Sequence, residues 1–504
     1  MKKLFLLCVF CLIWAGHVSA VTVSDVCGMF KGNLNIGGDN YPNKEIYLLS
    51  GTESDKVTFV LPQFTYGSAL LGDIVLVNIP MDNSGHLTLN NATLYLPAIQ
   101  ERATIDIIPS LSDGGETITS ALTSSAASVL LQITVASLPE PMLVYFYGTR
   151  QSGNYSIVNG GFDGSWTNNE INGWHSFKSA TGSYNSFVSG NTQQFFQANG
   201  HTGKGACITS NMLVGVKANG NMTNGQMNAG SMTATDGTNN YNFSDPSNTG
   251  YNTPFVGNPD SMTFWVKYVP ADRNANNSVN VARMHTAITT NARYQDPEDG
   301  GNYSNVRIAE ATSNYKATSS LGWQQITVPF VYNGASKDKA AYIMVTFTTN
   351  QTPGGGSTYS SGGLFNKKYY YDSCYIDDVA LIYDTRLASL SFNSRSLTLN
   401  SAMNVEESYC DSCYALQASA QGIGALTFTG YDATSRKAVV YVAGNDYAAN
   451  SNSMRMYTIQ MSEPTPTGVQ DAVMNPTSVK YLRNGRLYIL RNGHTYDVMG
   501  RMLQ

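Results

Sequence analysis

Charged side chains are scarce in this 504-residue chain. Asp, Glu, Lys and Arg together make up 13% of the residues, and the formal net charge is −5. Nowhere do Lys and Arg form a basic stripe, so the sequence lacks the electrostatic footprint of a nucleic-acid-binding protein. Glycine (46 residues) and tyrosine (31 residues) are abundant instead. This composition is typical of extracellular β-structure with many turns.

Long hydrophobic runs are also missing, except at the N-terminus. Two lysines precede an apolar segment over residues 4–15, and Val18-Ser19-Ala20 fits the rule of small residues before a signal cleavage site. The apolar segment is too short to cross a bilayer, which takes about 20 residues. We therefore predict a signal peptide over residues 1–20 and no membrane-spanning segment. The protein is expected at the cell surface or outside the cell, with the periplasm as an alternative.

Cysteine is rare once the predicted signal peptide is removed. The remaining residues are Cys27, Cys207, Cys374, Cys410 and Cys413. Because their number is odd, at least one thiol stays unpaired in an exported monomer. The pair Cys410 and Cys413 has C-x-x-C spacing, but no second pair of ligands follows at the spacing of a zinc site. A local disulfide or two packed thiols are expected there.

Motifs of the common catalytic sites are absent from the sequence. It contains no nucleophile elbow, phosphate-binding loop, His-Glu-x-x-His or dinucleotide-binding glycine pattern. A glycosidase needs two carboxylates at a defined separation. The acids Asp296, Glu298 and Asp299 cluster beside Pro297, where a solvated turn is expected. No catalytic residue is therefore assigned.

Residues 21–150 contain short strand patterns separated by turn residues. The patterned segments are 29–36, 45–49, 56–61, 72–77, 87–89, 93–96, 129–135 and 142–146. Strands at this spacing indicate a barrel or a sandwich. The step from Phe64 to Gly72-Asp73-Ile74 and the closing Val144-Tyr145-Phe146-Tyr147-Gly148 resemble the calycin-like β-barrel domains of exported Bacteroidetes proteins. The resemblance implies a barrel that can enclose a small apolar ligand; a barrel filled by its own side chains is the alternative.

Residues 154–384 end in a strand pattern over 371–383 that is apolar on both faces and is therefore expected to be an inner strand. The frame Asn159-Gly160-Gly161-Phe162-Asp163, Gly173-Trp174 and Ile376-Asp377-Asp378-Val379 resembles jelly-roll carbohydrate-binding modules. With the segments 259–268, 294–298 and 322–330, it is similar to the "putative carbohydrate metabolism domain" of gut Bacteroidetes. The resemblance implies a jelly-roll β-sandwich. The Asn-rich segment 213–258 is expected to form long loops over one face, where such folds carry binding sites.

Two acids in a row on an inner strand are costly to bury unless something satisfies them. Similar jelly rolls hold a structural calcium ion between the opening Phe-Asp and the closing Asp-Asp-Val. By this resemblance Asp163, Asp377 and Asp378 are candidate calcium ligands, with backbone carbonyls completing the shell of 6–8 oxygens. Acids that accept hydrogen bonds at a strand edge are the alternative.

Aromatic side chains are the candidates for contact with a sugar, because sugar rings stack on them. Trp166 lies in a polar segment and is the first candidate, followed by Tyr251 and Tyr359 in similar segments. Trp265 and Trp323 lie inside strand patterns, where packing in the core is the expected role.

The C-terminal part divides into three further segments. Residues 387–462 contain four strand patterns and are expected to form a small Ig-like sandwich. Residues 463–475 include Glu463-Pro464-Thr465-Pro466 and are expected to be a stiff linker. Residues 476–504 predict a hairpin with Asn492-Gly493 at its turn. Its ending Tyr496-Asp497-Val498-Met499-Gly500-Arg501 is similar to type IX C-terminal sorting domains, which continue with another strand after the Arg where this sequence has three residues. The resemblance implies a contact with secretion machinery; a purely structural tail is the alternative.

These observations together predict an all-β modular protein: a calycin-like barrel, a jelly roll and a small Ig-like sandwich in tandem. The expected function is non-catalytic binding of a glycan or polysaccharide by the jelly roll at the bacterial cell surface. A glycoside hydrolase, or another accessory enzyme of carbohydrate metabolism, is one alternative. A surface structural or adhesin protein is the other.

Overall fold

The computed structural model describes residues 20–66, 69–96, 101–113, 116–189, 194–213, 215–271, 281–352, 358–362, 366, 368–392, 395–398, 406–408, 416–432, 437–462, 478–483, 486–491, 494–497 and 501–503. Nearly all regular structure in these residues is β-strand, as the sequence predicts. Helices are confined to single turns: α1 (Val23–Val26), α2 (Asn185–Val188) and the 3₁₀ turns Phe177–Ser179 and Lys337–Lys339. No helix in this part of the chain is long and apolar enough to cross a membrane.

The N-terminal strands form a nearly closed barrel. They are β1 (Gly28–Ile36), β2 (Asp39–Ser50), β3 (Lys56–Tyr66), β4 (Ala69–Pro80), β5 (Leu89–Leu96), β6 (Glu101–Ile107), β7 (Ser110–Asp113), β8 (Glu116–Thr119), β9 (Ala121–Leu122), β10 (Ala126–Val135) and β11 (Met142–Arg150). The order around the barrel is β4-β3-β2-β1-β11-β10-β6-β5, with β9 beside β10 and β7 paired with β8.

The interior of the barrel is packed with apolar side chains. Alternate residues point inward along each strand, and Phe30, Phe59 and Phe146 are fully buried among them. The residues between them point outward, so a run such as Val57-Thr58-Phe59-Val60-Leu61 supplies both faces of β3. The inward side chains thus form one apolar cluster inside the barrel.

The middle of the chain forms the jelly roll. Its strands are β12 (Trp166–Thr167), β13 (Glu170–Ile171), β14 (Phe195–Asn199), β15 (Lys204–Thr209), β16 (Asn211–Leu213), β17 (Val216–Ala218), β18 (Asn221–Thr223), β19 (Gln226–Ala229), β20 (Asn240–Ser244), β21 (Ser261–Val269), β22 (Ala282–Thr289), β23 (Tyr294–Asp296), β24 (Arg307–Tyr315), β25 (Gln324–Pro329), β26 (Val331–Tyr332), β27 (Tyr342–Thr348), β28 (Thr358–Ser361), β29 (Lys368–Tyr371) and β30 (Ser373–Ile382). Two main sheets, β14-β15-β30-β21-β25 and β18-β27-β22-β24-β26, enclose a common core.

Strand β30 is an inner strand, as predicted, because it pairs with β15 on one side and β21 on the other. Its side chains do not alternate regularly, however. Ile376 and Val379 both pack in the core, and the register with β21 shifts between Thr263 and Trp265. Asp378, within this bulge, has a positive φ of 49°. The regular alternation of an uninterrupted strand would put Ile376 and Val379 on opposite faces; a bulge inserts one residue and exchanges the faces beyond it.

The C-terminal strands form a small sandwich and a separate sheet. The strands are β31 (Leu387–Phe392), β32 (Arg395–Ser396), β33 (Glu406–Ser408), β34 (Leu416–Ala420), β35 (Leu426–Asp432), β36 (Lys437–Ala443), β37 (Met454–Ser462), β38 (Ser478–Arg483), β39 (Arg486–Arg491), β40 (His494–Asp497) and β41 (Met502–Leu503). The sandwich pairs β32-β31-β34 with β33-β37-β36-β35. Strands β38 to β41 form the last sheet, in which β41 extends the predicted hairpin.

The small sandwich packs against the outside of the barrel through strand β36. Val439 and Tyr441 lie against Tyr47, Leu49 and other outward side chains of the barrel. The alternate residues of β36 face the sandwich's own core. Two buried hydrogen bonds cross the contact: Thr58 Oγ1 and Tyr441 Oη are 2.8 Å apart, and the Tyr447 hydroxyl donates to the Leu48 carbonyl at 2.7 Å. The contact fixes the two units against each other.

Several sequence predictions lie outside the described residues: nearly all of the signal peptide, the linker 463–475, the turn Asn492-Gly493 and the pair Cys410 and Cys413. The cysteines that the structure does describe, Cys27, Cys207 and Cys374, are buried free thiols.

Candidate functional site

A cleft lies over the jelly-roll sheet that contains β18, β27 and β22. Its empty volume is about 820 Å³, part of it open to solvent. The segment 213–258, expected to form loops, instead contributes the short strands β17 to β20 to its sides. The turn Phe177–Ser179 and helix α2 form the remaining rim. Clefts lined by apolar side chains and a few polar groups bind small ligands in many proteins.

One wall of the cleft is apolar and aromatic. Phe177, Tyr184 and Phe187 line it together with Met227 and Met232. Phe187 is 55% exposed, so its ring is available to a ligand. Exposed aromatic rings offer flat apolar faces to the C–H groups of a bound molecule.

Asparagine side chains hold the part of the rim formed by the hairpin β19–β20. The Asn240 amide donates to the carbonyls of Ser231 (3.1 Å) and Thr233 (2.8 Å). The Asn228 amide donates to the Asn239 carbonyl at 2.6 Å. These side-chain hydrogen bonds take the place of the backbone hydrogen bonds between strands where the hairpin β19–β20 opens into a loop. They order the rim without using the amides that lie deeper in the cleft.

The floor of the cleft contains three further asparagines. The Asn221 amide nitrogen donates to the Asn242 side-chain oxygen at 3.0 Å. The Asn221 side-chain oxygen and the Asn219 amide nitrogen are buried and have no hydrogen-bond partner within the protein. Local sequence explains the placement: Gly220 lies between them, and a Cβ there would come within 2.6 Å of the Thr209 backbone nitrogen. Asn219 and Asn221, on either side of this tightly packed glycine, both line the cleft.

A buried ion pair completes the floor. Arg283 donates two hydrogen bonds to Asp296, at 2.8 Å and 2.7 Å. Burial acts to raise the pKa of the Asp296 carboxyl, but the nearby His285 and the bonds and charge of Arg283 hold it below its usual range. Burial acts in the opposite sense on Arg283, and Asp296 keeps its pKa above the usual value. Arg283 carries a positive charge and Asp296 a negative charge, so the pair has no net charge.

The prediction of a solvated acidic turn over residues 296–299 is therefore wrong for Asp296. Glu298 is paired with Arg307 at 2.7 Å, and Asp299 alone is an exposed turn residue. The partners Arg283 and Arg307 lie on other strands, so spacing along the chain gave no sign of the pairing. Asp296 is the one carboxylate among the described residues that line the cleft. A pair of opposed acids, as a glycosidase needs, is not formed by these residues.

A buried histidine, His285, lies next to the ion pair. His285 Nδ1 lies 2.8 Å from Thr312 Oγ1, and Nε2 lies 3.2 Å from the Tyr294 hydroxyl. Burial lowers the pKa of His285. The imidazole has a hydrogen-bonding neighbour at each of its two ring nitrogens. Tyr294 is buried beside it, and burial raises the pKa of the phenol.

The three aromatic residues predicted to contact a sugar do not line the cleft. Trp166 lies in strand β12 rather than in a loop, and its indole nitrogen donates to the Phe162 carbonyl at 3.0 Å. Its ring packs 5.2 Å from the ring of Phe195. Tyr251 is half-buried with its ring centroid 4.5 Å from that of His175. Tyr359 lies in strand β28, and its side chain is outside the described residues. Ligand binding by these three residues stays a prediction.

Trp265 and Trp323 do not pack in the core, contrary to expectation. Both are half-exposed on the outer face of the other sheet, because Phe264 and Val266 take the inner positions of β21. His201 stacks on Trp265 with a centroid separation of 3.7 Å and a plane angle of 6°. Lys267 lies 5.4 Å from the ring of Trp323. These ring faces are covered by the protein's own side chains, so the cleft is the better candidate site.

The predicted calcium ligands approach one another around residues 200–204. Lys204 N donates to Asp163 at 2.9 Å, and Thr202 N donates to Asp377 at 3.0 Å. One oxygen of Asp163 and one of Asp378 each lie just under 4 Å from the position of a Cβ on Gly161. The backbone of Val379 donates to Gly160 at 2.9 Å, so the opening and closing segments of the jelly roll are neighbours.

These acids do not by themselves form a metal shell. Among the described residues, no three His, Cys, Asp or Glu side chains are grouped closely enough to hold a metal ion. Asp377 is fully buried, and burial raises the pKa of its carboxyl, opposed by backbone hydrogen bonds and aided by the charge of Asp378. Further oxygen ligands would have to be backbone carbonyls.

One sequence signal did point to the cleft. The segment 213–258 is rich in asparagine, and the notable spacing is the pair Asn219 and Asn221 around a glycine. Asn221 begins strand β18 and Asn219 lies two residues before it, so two amides come close together at the edge of a sheet. The sequence does not show that these amides are buried, since β27 supplies the neighbouring strand from more than 100 residues away.

No family model and no curated protein matches this chain. A solved "putative glycoside hydrolase" from Bacteroides thetaiotaomicron is similar at 14% identity, covering 74% of this chain and 99% of that chain with a TM-score of 0.32. Carbohydrate-binding modules of the β-sandwich superfamily align at 9% identity over 70% of this chain and 98% of theirs, with a TM-score of 0.21. A "putative outer membrane protein" from Bacteroides fragilis aligns at 15% identity over 25% of this chain and 52% of its own, with a TM-score of 0.18. At such identities and TM-scores, these likenesses assign no ligand or activity to this chain.

Proposed function

We propose that the protein is an exported, non-catalytic glycan-binding protein and that the jelly-roll cleft is its binding site. The observation that carries the proposal is the combination of an aromatic wall with a floor of amide side chains. Sugars present both an apolar C–H face and a fringe of hydroxyl groups, so a site for them needs stacking surfaces and convergent donors and acceptors.

The charged residues of the cleft indicate whether its glycan ligand is neutral or acidic. The cation and the anion of the floor, Arg283 and Asp296, neutralise each other through two short hydrogen bonds. Neither is free to attract an oppositely charged ligand. The proposed ligand is therefore a neutral glycan rather than a uronate-rich or sulfated one.

Replacing Phe187 with alanine tests this proposal. Because the ring is exposed in the apolar wall, its loss should remove a stacking surface and weaken glycan binding about tenfold, with little effect on stability. The measurement is binding of the mature chain to an array of neutral and acidic glycans. Reducing-sugar release from mixed polysaccharides, measured in parallel, would reveal a hydrolase instead.

Tyr66→Ala is the matched control, because Tyr66 is an exposed aromatic residue on the barrel, 45% accessible. This variant should bind glycans as the unchanged protein does. Trp166→Phe provides the competing test: it keeps a ring but removes the indole donor. Loss of binding in Trp166→Phe together with full binding in Phe187→Ala would move the site to the aromatic residues predicted from the sequence.

A structural calcium ion at Asp163, Asp377 and Asp378 stays a proposal, supported by the approach of these acids around residues 200–204. If the ion binds there, added calcium should raise the melting temperature of the mature chain relative to a chelator-treated sample. Asp378→Asn should abolish the increase, and it leaves the backbone unstrained because asparagine tolerates the positive φ of this position. Identical melting temperatures with calcium and with chelator would rule the ion out.

A further inference from the structure

Two amide atoms in the cleft floor are buried without a partner. They are the Asn219 side-chain nitrogen, a donor, and the Asn221 side-chain oxygen, an acceptor. Asn219 is 2% exposed and Asn221 is 9% exposed, and both line the cleft. A buried polar atom that forms no hydrogen bond costs free energy, so folded proteins satisfy nearly all of them.

The surrounding structure fixes these side chains instead of satisfying them. The other end of the Asn221 amide is held by Asn242 at 3.0 Å, so its oxygen has a set direction. Gly220 packs on the backbone of Thr209 and holds Asn219 on the cleft side. Such a locally unfavourable arrangement is expected where a ligand supplies the missing partners.

The missing partners have a definite chemistry. A ligand group that satisfies both atoms must carry one acceptor for the Asn219 N–H and one donor for the Asn221 oxygen. The same cleft is also lined by the apolar side chains of Val216, Ala218 and Met227. An acetamido group has a carbonyl, an N–H and a methyl, and so matches the donor, the acceptor and the apolar surface together.

We infer that the cleft recognises the 2-acetamido group of an N-acetylhexosamine within a neutral glycan. The inference rests on the proposed function, since it assigns a sugar class to the same site. A 2-hydroxyl group can also accept from the Asn219 N–H and donate to the Asn221 oxygen, but it leaves the apolar side chains of the cleft without a methyl to contact. The cleft therefore discriminates between the two sugars by shape and by the apolar area that the methyl buries.

The test compares matched sugars on the full mature chain. Glycans ending in N-acetylglucosamine or N-acetylgalactosamine are paired with counterparts ending in glucose or galactose, in both anomers. We expect at least one acetamido member to bind about tenfold or more tightly than its hydroxyl counterpart. Asn219→Leu should remove this preference without lowering the unfolding midpoint, because it removes an unpartnered buried amide of similar volume. Asn219→Ala serves as a second variant if the leucine does not fit.

Asn258→Leu is the control, because Asn258 also has an unpartnered buried amide oxygen but does not line the cleft. The Asn258→Leu variant should keep the preference of the unchanged protein for acetamido sugars over their hydroxyl counterparts. Equal binding of both members in every pair would overturn the acetamido inference while leaving glycan binding in place. An acetamido preference that survives in both Asn219 variants would overturn the assignment to this amide. Absence of binding to every glycan would overturn the proposed function itself.

Discussion

Replacing Arg283 with methionine is expected to lower the free energy of unfolding of the jelly roll by about 3–5 kcal/mol, because it leaves the Asp296 carboxylate buried without its partner. Asp296 accepts both of its short hydrogen bonds from Arg283, and the two side chains are 5% and 13% exposed. The cleft floor should be lost with the pair. Urea unfolding followed by tryptophan fluorescence measures the change.

The fluorescence signal isolates the jelly roll. After removal of the predicted signal peptide, the remaining tryptophans are Trp166, Trp174, Trp265 and Trp323, and all belong to that unit. A multi-domain chain does not unfold in one step, so a probe confined to one unit is needed. The double variant Arg283→Met with Asp296→Asn removes both charges and should recover most of the lost stability. A single variant within about 1 kcal/mol of the parent would contradict the importance of the pair.

The second large effect is expected at Tyr441, the fully buried residue of β36 that faces the barrel. Tyr441→Ala leaves a cavity between the two units and leaves the Thr58 hydroxyl without this partner. A cost of about 3–5 kcal/mol is typical of removing a buried aromatic ring. Amide hydrogen exchange should therefore increase in β36 and also in β3, on the barrel side of the contact.

Tyr457→Ala is the control for this experiment. Tyr457 is buried in the sandwich's own core, on the face of its sheet opposite to the barrel. Its loss should speed exchange within the sandwich and leave exchange in β3 unchanged. If Tyr441→Ala also left β3 unchanged, the two units would not stabilise each other, and the contact would be passive.

The two experiments address different consequences of the fold. The Arg283 variant tests whether the binding floor depends on a charge pair formed between separate strands. The Tyr441 variant tests whether the small sandwich positions itself by packing on the barrel. Both contacts are buried, so each is expected to matter far more than an exposed ion pair such as Lys31 with Glu45, which is typically worth about 0–1 kcal/mol.

The positions of strands were accessible from local patterns. The sequence predicts an inner strand over residues 371–383 because both faces of the pattern are apolar, and the structure has β30 at Ser373–Ile382; β36 likewise shows apolar residues at every position from Ala438 to Ala443. Such patterns depend on neighbours two residues apart, which is the information a sequence carries directly. They fixed the all-β class and the order of barrel, jelly roll and small sandwich.

The same local patterns gave wrong predictions where the position of a side chain depended on strands or residues that are distant in the chain. The apolar pattern of its strand predicts Trp265 in the core. The side of the sheet on which Trp265 lies depends instead on the sheet that β21 joins and on its register in that sheet. Asp296 was read as a solvated acid because Arg283 is 13 residues away in sequence and reaches it only across strands. A bulge at Asp378 reversed the faces beyond it, and local composition does not reveal a register shift.

By itself, the sequence determined that this chain is built from strands, where many of those strands lie, and that asparagine is concentrated in one segment of the jelly roll. Only the tertiary structure decided which amides are buried without partners, that an arginine neutralises the floor acid, and that both faces of β36 are covered by different units. The reason is physical: strand formation follows from local alternation, whereas burial and pairing follow from the register and packing of strands that are far apart in the chain.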